Sequence, residues 1–474
     1  MTLSNKDLGL VTTPPNTADY IVSRLGYIPR DARILDPCVG PGAFIKALLN
    51  RGVDPDQITA VDINEEHRMS IEEQGVTFIT RDALLSLTPY SYNEFDFVVG
   101  NPPYLSKASE YIRKNKRSLQ KIYGKIHSHE AYAMFIVNGI RRLRNGGKMA
   151  FIVSDSFMTV NTHANLRRYI LKNCLIDEIT LAPKSLFDSQ GVNTSPAIIV
   201  LTKCVGREYE SSRMVHTMRI VERVQSEDEY EHPRASASIP QSQYHLLPYK
   251  IFYTEIEPWI LKLFRDSDSM KEHIRGYVGM HTMDNDKYIR PLSEVESDED
   301  WKPYIKTGGA DQYYRPVTEA VYLGDDDIPD GYLFPRDVPF GDEGIVISGI
   351  SSRLAARYMP KGCYWDSNKA MGFFVVDENI SIEYALGLLN SSLYNHLAKG
   401  ILNRTNCVQL TDLHALPFVN PDDDTKSRVE ELVKKIVTNK REHENFDYSS
   451  EQKQIDDIIL NFHKKRFKTT EKMV

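Results

Sequence analysis

The stretch Arg33-Ile-Leu-Asp36-Pro-Cys-Val-Gly40-Pro-Gly42-Ala-Phe-Ile-Lys-Ala-Leu-Leu-Asn50 decides how the chain folds. Residues 33–36 read as a short buried strand, and Phe44 to Asn50 carries apolar residues at helical spacing. Between them, Gly40 and Gly42 let the backbone turn tightly and approach a ligand closely. The turn is not GxxxxGK[ST], so it is not a P-loop, and it departs from GxGxxG. Working outward, six more strand-like runs follow: ITAVDI (58–63), VTFIT (76–80), FDFVVG (95–100), KMAFIVS (148–154), IDEITLA (176–182) and SPAIIVL (195–201). Amphipathic stretches such as Ala131 to Leu143 separate several of them. This alternation predicts an α/β fold, a parallel or mixed sheet with helices on both faces. Such sheets bind ligands beyond the carboxyl ends of their strands.

The alternation stops near residue 204, so the first domain is expected over 1–204. Residues 205–244 are polar and charge-rich and read as a connecting segment. From 245 to 474 a second, α+β domain is expected, with strands in GIVISGI and GFFVV. It ends in two helices, striped by Val429, Leu432, Val433, Ile436 and Val437 and by Ile455, Ile458, Ile459 and Phe462.

The 474 residues are ample for two or three domains at roughly 150 each. Lys+Arg 58 against Asp+Glu 65 leaves a net charge of -7, with 41% hydrophobic and 26% charged residues, an ordinary globular mix. No apolar run approaches the roughly 18 residues of a membrane span, and MTLSNKDLGLVTTPP lacks the features of a signal peptide. A membrane protein, a secreted disulfide scaffold and a disordered chain are therefore set aside, and a cytoplasmic location is expected. Mild acidity leaves a nucleic-acid partner open, because binding needs only a local basic surface. The five cysteines, Cys38, Cys174, Cys204, Cys363 and Cys407, are widely spaced without a CxxC pair, and read as free thiols. His127 and His129 read as polar loop residues, and no metal site is expected.

Asp36, Asp62 and Asp82 each follow one of three consecutive strands, so they would line one edge of the sheet. Asp62 is placed to accept hydrogen bonds from a ribose diol, and Asp82 to meet the exocyclic amine of an adenine. Each alone is an ordinary N-cap or turn residue; together they favour a nucleoside-containing cofactor. The decisive segment is Asn101-Pro102-Pro103-Tyr104, directly after FDFVV. Proline stiffens the turn, so the Asn101 side-chain oxygen and the Pro102 carbonyl can point at one place. Two acceptors there can hold an amino group and direct its lone pair at an electrophile. Tyr104 offers an aromatic face to a base. An exocyclic amine is a poor nucleophile, so positioning and electrostatics must supply much of the catalysis.

DPCVGPG, Asp62, Asp82 and NPPY resemble the ordered motifs of S-adenosylmethionine-dependent amino-methyltransferases. With Thr13-Pro-Pro upstream, their order resembles the gamma-class, TaqI-like DNA adenine-N6 methyltransferases of restriction-modification systems. The resemblance covers essentially the whole chain and implies a Rossmann-like S-adenosylmethionine-binding catalytic domain followed by a target-recognition domain. It implies that Thr13, Asp36 and Cys38 lie near the cofactor's methionine end, and that Asp62 binds the ribose with Ile63 packed on the adenine. Asp82 would receive the adenine amine, and Phe135 would flank the cofactor unless it is simply a core residue. Phe187, in KSLFDSQGVNTSPAIIV, matches the aromatic that stacks on an extruded base opposite Tyr104, with an ordinary core Phe as the alternative. GMHTMDNDKYI, YIKTGGADQYYR, SSRLAARYMPKG and GLLNSSLYNHLAKG loosely resemble target-recognition segments.

After NPPY come Lys107, Arg113, Lys114, Lys116, Arg117, Lys121 and Lys125 against one acid, Glu110. This stretch reads as a phosphate-contacting surface or as a solvated helix; Arg353, with Arg357 and Lys361, is a second basic candidate. The resemblance implies double-stranded DNA as partner and a bacterial or phage source. It implies a monomeric modification enzyme with a cognate restriction endonuclease encoded separately, or an orphan methylase. NPPY also occurs in protein-glutamine and ribosomal RNA methyltransferases, which would not need the 230 or so residues after position 245. A non-catalytic DNA-binding specificity protein would not need an intact NPPY. No PD...(D/E)xK nuclease pattern is found.

Overall fold

The computed structural model describes residues 9–85, 93–126, 130–192, 194–324, 332–367, 369–403 and 407–468. His127 and His129 lie outside these. The chain divides into two compact units, Met1–Glu255 and Ile256–Val474.

The first unit is built on a nine-stranded sheet. Its strands are β1 (Ile34–Asp36), β2 (Ile58–Asp62), β3 (Thr77–Thr80), β4 (Phe95–Gly100), β5 (Leu143–Ser154), β6 (Cys174–Leu181), β7 (Pro196–Lys203), β8 (Thr217–Val221) and β9 (Ser236–Pro240), in the order β3-β2-β1-β4-β5-β7-β6-β8-β9. All seven runs read from the sequence are strands. The five strands β1 to β5 pair in parallel, and β7 runs antiparallel between β5 and β6. The order reverses between β1 and β4, which sets a crevice at their carboxyl ends. Helices α1 (Pro15–Ser23), α2 (Ala43–Asn50), α3 (Arg68–Glu72), α4 (Glu110–Tyr123) and α5 (Ala131–Arg142) surround the parallel half. Two separate apolar clusters, one around Phe135, Phe151 and Leu201 and one around Ile45, Val99 and Ile198, show that the sheet is covered on both faces.

The expected boundary at 204 is corrected. Residues 205–244 do not merely connect: they supply β8, which pairs in parallel with β6, and β9, which closes the sheet edge. The signal was weak because β9 is an edge strand with mostly exposed residues, so it needs no apolar run. A buried carboxylate fixes the region to α1. Glu178 on β6, 3% exposed at its side chain, pairs with Arg24 at 2.7 Å and Arg219 at 2.8 Å and accepts from the Tyr20 hydroxyl.

The second unit holds two four-stranded sheets. One runs β11 (Ile274–Val278), β18 (Ala370–Val375), β15 (Gly344–Ser348), β16 (Ala356–Met359). The other runs β12 (Ile289–Pro291), β14 (Glu319–Tyr322), β13 (Trp301–Ile305), β17 (Tyr364–Trp365), and a further short pair joins β10 (Asp268–Ser269) to β19 (Pro417–Phe418). The two striped helices are Asp423–Glu442 and Ser449–Phe467, burying Val429, Val433 and Ile436 and Ile455 and Ile459. None of the five cysteines forms a disulfide. Among the described residues no helix is long and apolar enough to cross a membrane.

Candidate active site

The carboxyl ends of β1, β2 and β4 and the turn after β3 converge on one cleft that is open to solvent. Cys38, Asp62, Ile63, Asp82, Asn101 and Phe135 line it. Residues 20 to 73 positions apart from Asp62, such as Asp82 and Phe135, meet here because parallel strands bring every carboxyl end to one side.

The glycine turn builds the floor. Gly40 and Gly42 sit at φ +48° and +85°, where L side chains are strained. A Cβ on Gly42 would lie 2.5 Å from Ile71 Cδ1, so the turn also packs too closely for a side chain. The Gly40 N–H donates to Asp62 Oδ2 at 2.8 Å and the Asn64 N–H to Asp62 Oδ1 at 2.8 Å. These bonds lock the carboxylate while leaving each oxygen a lone pair for a ligand. Ile63 is 43% exposed, an aliphatic face turned outward beside it.

Asp82 is held in a turn by the N–H groups of Leu84 and Leu85. The Tyr111 hydroxyl donates to its two oxygens at 3.1 and 2.9 Å and itself lines the cleft. Tyr111 belongs to α4, 29 positions further on, and no motif marks it; only the fold reveals it.

Three buried oxygens of the site residues have nothing to bond, although only Asn101 among them lines the cleft itself. Thr13 Oγ1, Asp36 Oδ2 and Asn101 Oδ1 are buried without partners, a costly state unless a ligand completes it. Asp36 is fully buried; burial, only partly offset by the Cys38 N–H and aided by Asp62, pushes its carboxyl up to about 8. The Asn101 amide nitrogen donates to the Val11 carbonyl at 2.9 Å, which leaves Oδ1 as the end that faces inward. Thr13 and Val11 come from the segment ahead of α1, and the Tyr104 N–H bonds the Gly9 carbonyl at 3.3 Å. The N-terminal segment thus braces the NPPY turn.

Pro102 is buried and Pro103 lines the cleft. Phe135 is 6% exposed, bordering both cleft and core. Phe187 is fully buried, and its ring meets Tyr104 edge to face, centroids 6.0 Å apart and planes at 61°. The two rings pack within one apolar cluster, the core placement that the sequence also left open for Phe187. Lys107, Arg113, Lys114, Lys116 and Arg117 are all exposed on or just before α4, which turns Ile112, Leu119 and Tyr123 inward. Lys114 pairs with Glu110 at 2.5 Å. Arg353 is exposed in the second unit. Among the described residues no cluster of three or more His, Cys, Asp or Glu is placed to hold a metal.

Residues 48–187 match the Eco57I restriction-modification methylase family. The chain is 28% identical over 179 residues to the Type II methyltransferase M.TthHB8I of Thermus thermophilus, covering 36% of this chain and 40% of the relative. It is 27% identical over 302 residues to the Type II methyltransferase M.BstVI of Geobacillus stearothermophilus, covering 54% and 52%. It therefore spans about half the length, or less, of these curated relatives. In fold it is similar to the Type IIL restriction-modification enzyme MmeI, solved in complex with DNA, with a TM-score of 0.61 at 13% identity over 97% of this chain and 73% of that one. The NPPY turn and the cleft residues Asp62, Asp82 and Phe135 lie within the stretch, 48–187, that carries the restriction-modification methylase pattern, while Val11 and Cys38 precede it.

Proposed function

We propose that the protein is a DNA methyltransferase that transfers a methyl group from S-adenosylmethionine to the N6 amine of an adenine flipped from duplex DNA. The observation that carries this reading is Asn101: a buried oxygen without a partner, its amide end tied to Val11, at the carboxyl end of β4. An exocyclic amine is the group whose N–H donors such an acceptor takes.

The residues present suit the cofactor. Asp62 would accept from the ribose hydroxyls, Asp82 from the adenine amine with Ile63 against the ring, and Thr13 and Asp36 from the cationic amino-acid end. Bound S-adenosylmethionine supplies an electrophilic methyl group on its sulfonium. Asn101 Oδ1 and the Pro102 carbonyl would hold the target amine and favour the positive charge that develops on its nitrogen. Tyr104 would stack on the base after turning away from Phe187, so base entry and ring rearrangement would go together. The exposed cations of α4, and Lys107 ahead of it, give a surface for the DNA backbone.

A protein or ribosomal RNA substrate would use the same NPPY chemistry. The restriction-modification match over 48–187 favours DNA. Tritiated-methyl transfer tests the choice, offering genomic duplex DNA, ribosomal RNA and total protein in parallel. Label is expected in DNA alone; label in RNA or protein, with none in DNA, would overturn the reading.

A further inference from the structure

The second unit contains a site to which the chemistry above assigns nothing. The loop from β13 to β14 folds around Arg357 on β16. The Tyr313 N–H bonds the Ala356 carbonyl and the Tyr358 N–H bonds the Tyr313 carbonyl, both at 2.8 Å. Gly308 lies so close to β15 that a Cβ there would be 2.1 Å from Ser348 Cα. Inside this wrap, Arg357 is 6% exposed and donates through Nη2 to the Thr307 carbonyl at 2.7 Å. Its Nη1 is buried with no partner.

A Cβ on Gly309, at φ +70°, would meet Arg315 Nη1 at 3.1 Å, Arg357 Nη1 at 3.4 Å and Asp311 Oδ2 at 3.6 Å. Both residues line one surface recess with Lys306. Arg315 is 42% exposed and pairs with Asp311 at 3.4 Å, a distance at which the bond is weak. Two guanidinium groups converge on this glycine with one carboxylate, Asp311, to offset them, and an unbonded buried guanidinium nitrogen is costly. Burial and then Arg315 lower the Arg357 guanidinium to about 10. Each of these penalties is relieved by one kind of group, a pair of hydrogen-bond acceptors carrying negative charge or partial charge.

We propose that Arg357 and Arg315, over the Gly308-Gly309 turn, form a binding site for a two-acceptor edge of DNA. This rests on the DNA-methyltransferase reading. Two such edges exist on a duplex: the oxygens of a backbone phosphate, and O6 with N7 of a guanine in the major groove.

The test uses the full chain with a pool of randomised duplexes, selecting bound sequences and then measuring affinity against salt. Arg315→Ala removes an exposed side chain and leaves the core intact. Arg357→Lys keeps charge and length but loses the fork; thermal melting monitors its fold. If the edge is phosphate, Arg315→Ala weakens all duplexes alike and flattens the log-log salt slope by about 0.9. If it is guanine, both variants lose about tenfold or more on the selected sequence, and preference relaxes at one G·C position. Either result supports the site. It is overturned if the wild type binds DNA and Arg315→Ala and folded Arg357→Lys bind with the same affinity, salt slope and selected sequence. A folded wild type that binds no duplex at all overturns instead the functional reading beneath it.

Discussion

The two units are unfinished in opposite ways. Around the first unit's cleft, three of the unbonded buried groups are oxygens, Thr13 Oγ1, Asp36 Oδ2 and Asn101 Oδ1, beside one ring nitrogen, His67 Nε2. In the second unit's glycine turn, the unbonded group is a guanidinium nitrogen, Arg357 Nη1, with Arg315 beside it. A cleft of spare acceptors suits a ligand rich in donors and positive charge, such as a sulfonium amino acid or an exocyclic amine. A recess of spare donors suits an anion or a base edge. The contrast teaches that the chemistry of a missing ligand is legible from which half of each hydrogen bond the protein supplies.

The sharpest way to break this comparison is to remove Asn101, the acceptor proposed to hold the reacting amine. Asn101→Ala should lower turnover by about 10²–10³-fold, the usual cost of losing one preorganised group at a developing charge. Cofactor affinity should stay near the wild-type value, because the loss falls on the transition state. Single-turnover methyl transfer and calorimetric titration separate the two. Equal losses in both would mean that Asn101 only supports the fold.

Asp36 sharpens the acceptor side of the contrast through pH. Its carboxyl is held neutral up to about 8, so the folded protein binds a proton that the unfolded chain has lost above about 4. Its contribution to stability therefore falls as pH rises through that window. A cationic ligand takes the ionised form, so cofactor affinity should climb with pH and level off above about 8. Asp36→Asn should flatten that climb and weaken binding by about 1.5–3 kcal/mol, the worth of a charged hydrogen bond. Calorimetry from pH 6 to 9 checks both.

The smallest effect concerns a carboxylate that already has its partners. Glu178 pays for its burial, yet Arg219, Arg24 and the Tyr20 and Thr180 hydroxyls together outweigh that and hold its carboxyl below the ordinary value. The stability it contributes is complete above about pH 4.3 and is lost as pH falls through the lower folded value. Glu178→Gln should melt lower than wild type at neutral pH, with the gap narrowing as pH falls through that range. A gap that is constant with pH would deny the ionic role.

How much was legible follows burial and distance along the chain. The seven strands from β1 to β7 were readable because both sheet faces are covered, which forces apolar runs such as FDFVV. β9 was not, because an edge strand of mostly exposed residues needs no such run, and β8, although inside the sheet with Met218, Ile220 and Val221 buried, is a five-residue strand in a charge-rich stretch. Asp62 and Asn101 were readable because each ends a strand, where local sequence already fixes placement. Tyr111 was not, because it reaches Asp82 only through the packing of α4. Phe187 was ambiguous: its place in the motif order suggested a stacking face, its apolar surroundings a core residue, and the structure buries it against Tyr104. Arg357 looked like one more surface cation in SSRLAARYMPKG, since nothing local reveals that the β13–β14 loop wraps it.

The central claim is that Asn101 directs methyl transfer to adenine, and nucleoside analysis of DNA tests it most directly. The wild-type protein and Asn101→Ala are expressed in a bacterial strain without adenine methylases, and the DNA is digested and quantified by mass spectrometry. The account predicts N6-methyladenine in the wild-type DNA and at most traces with Asn101→Ala. It would be contradicted by folded, cofactor-binding wild-type protein that leaves adenine unmodified, or by a variant that modifies it equally well.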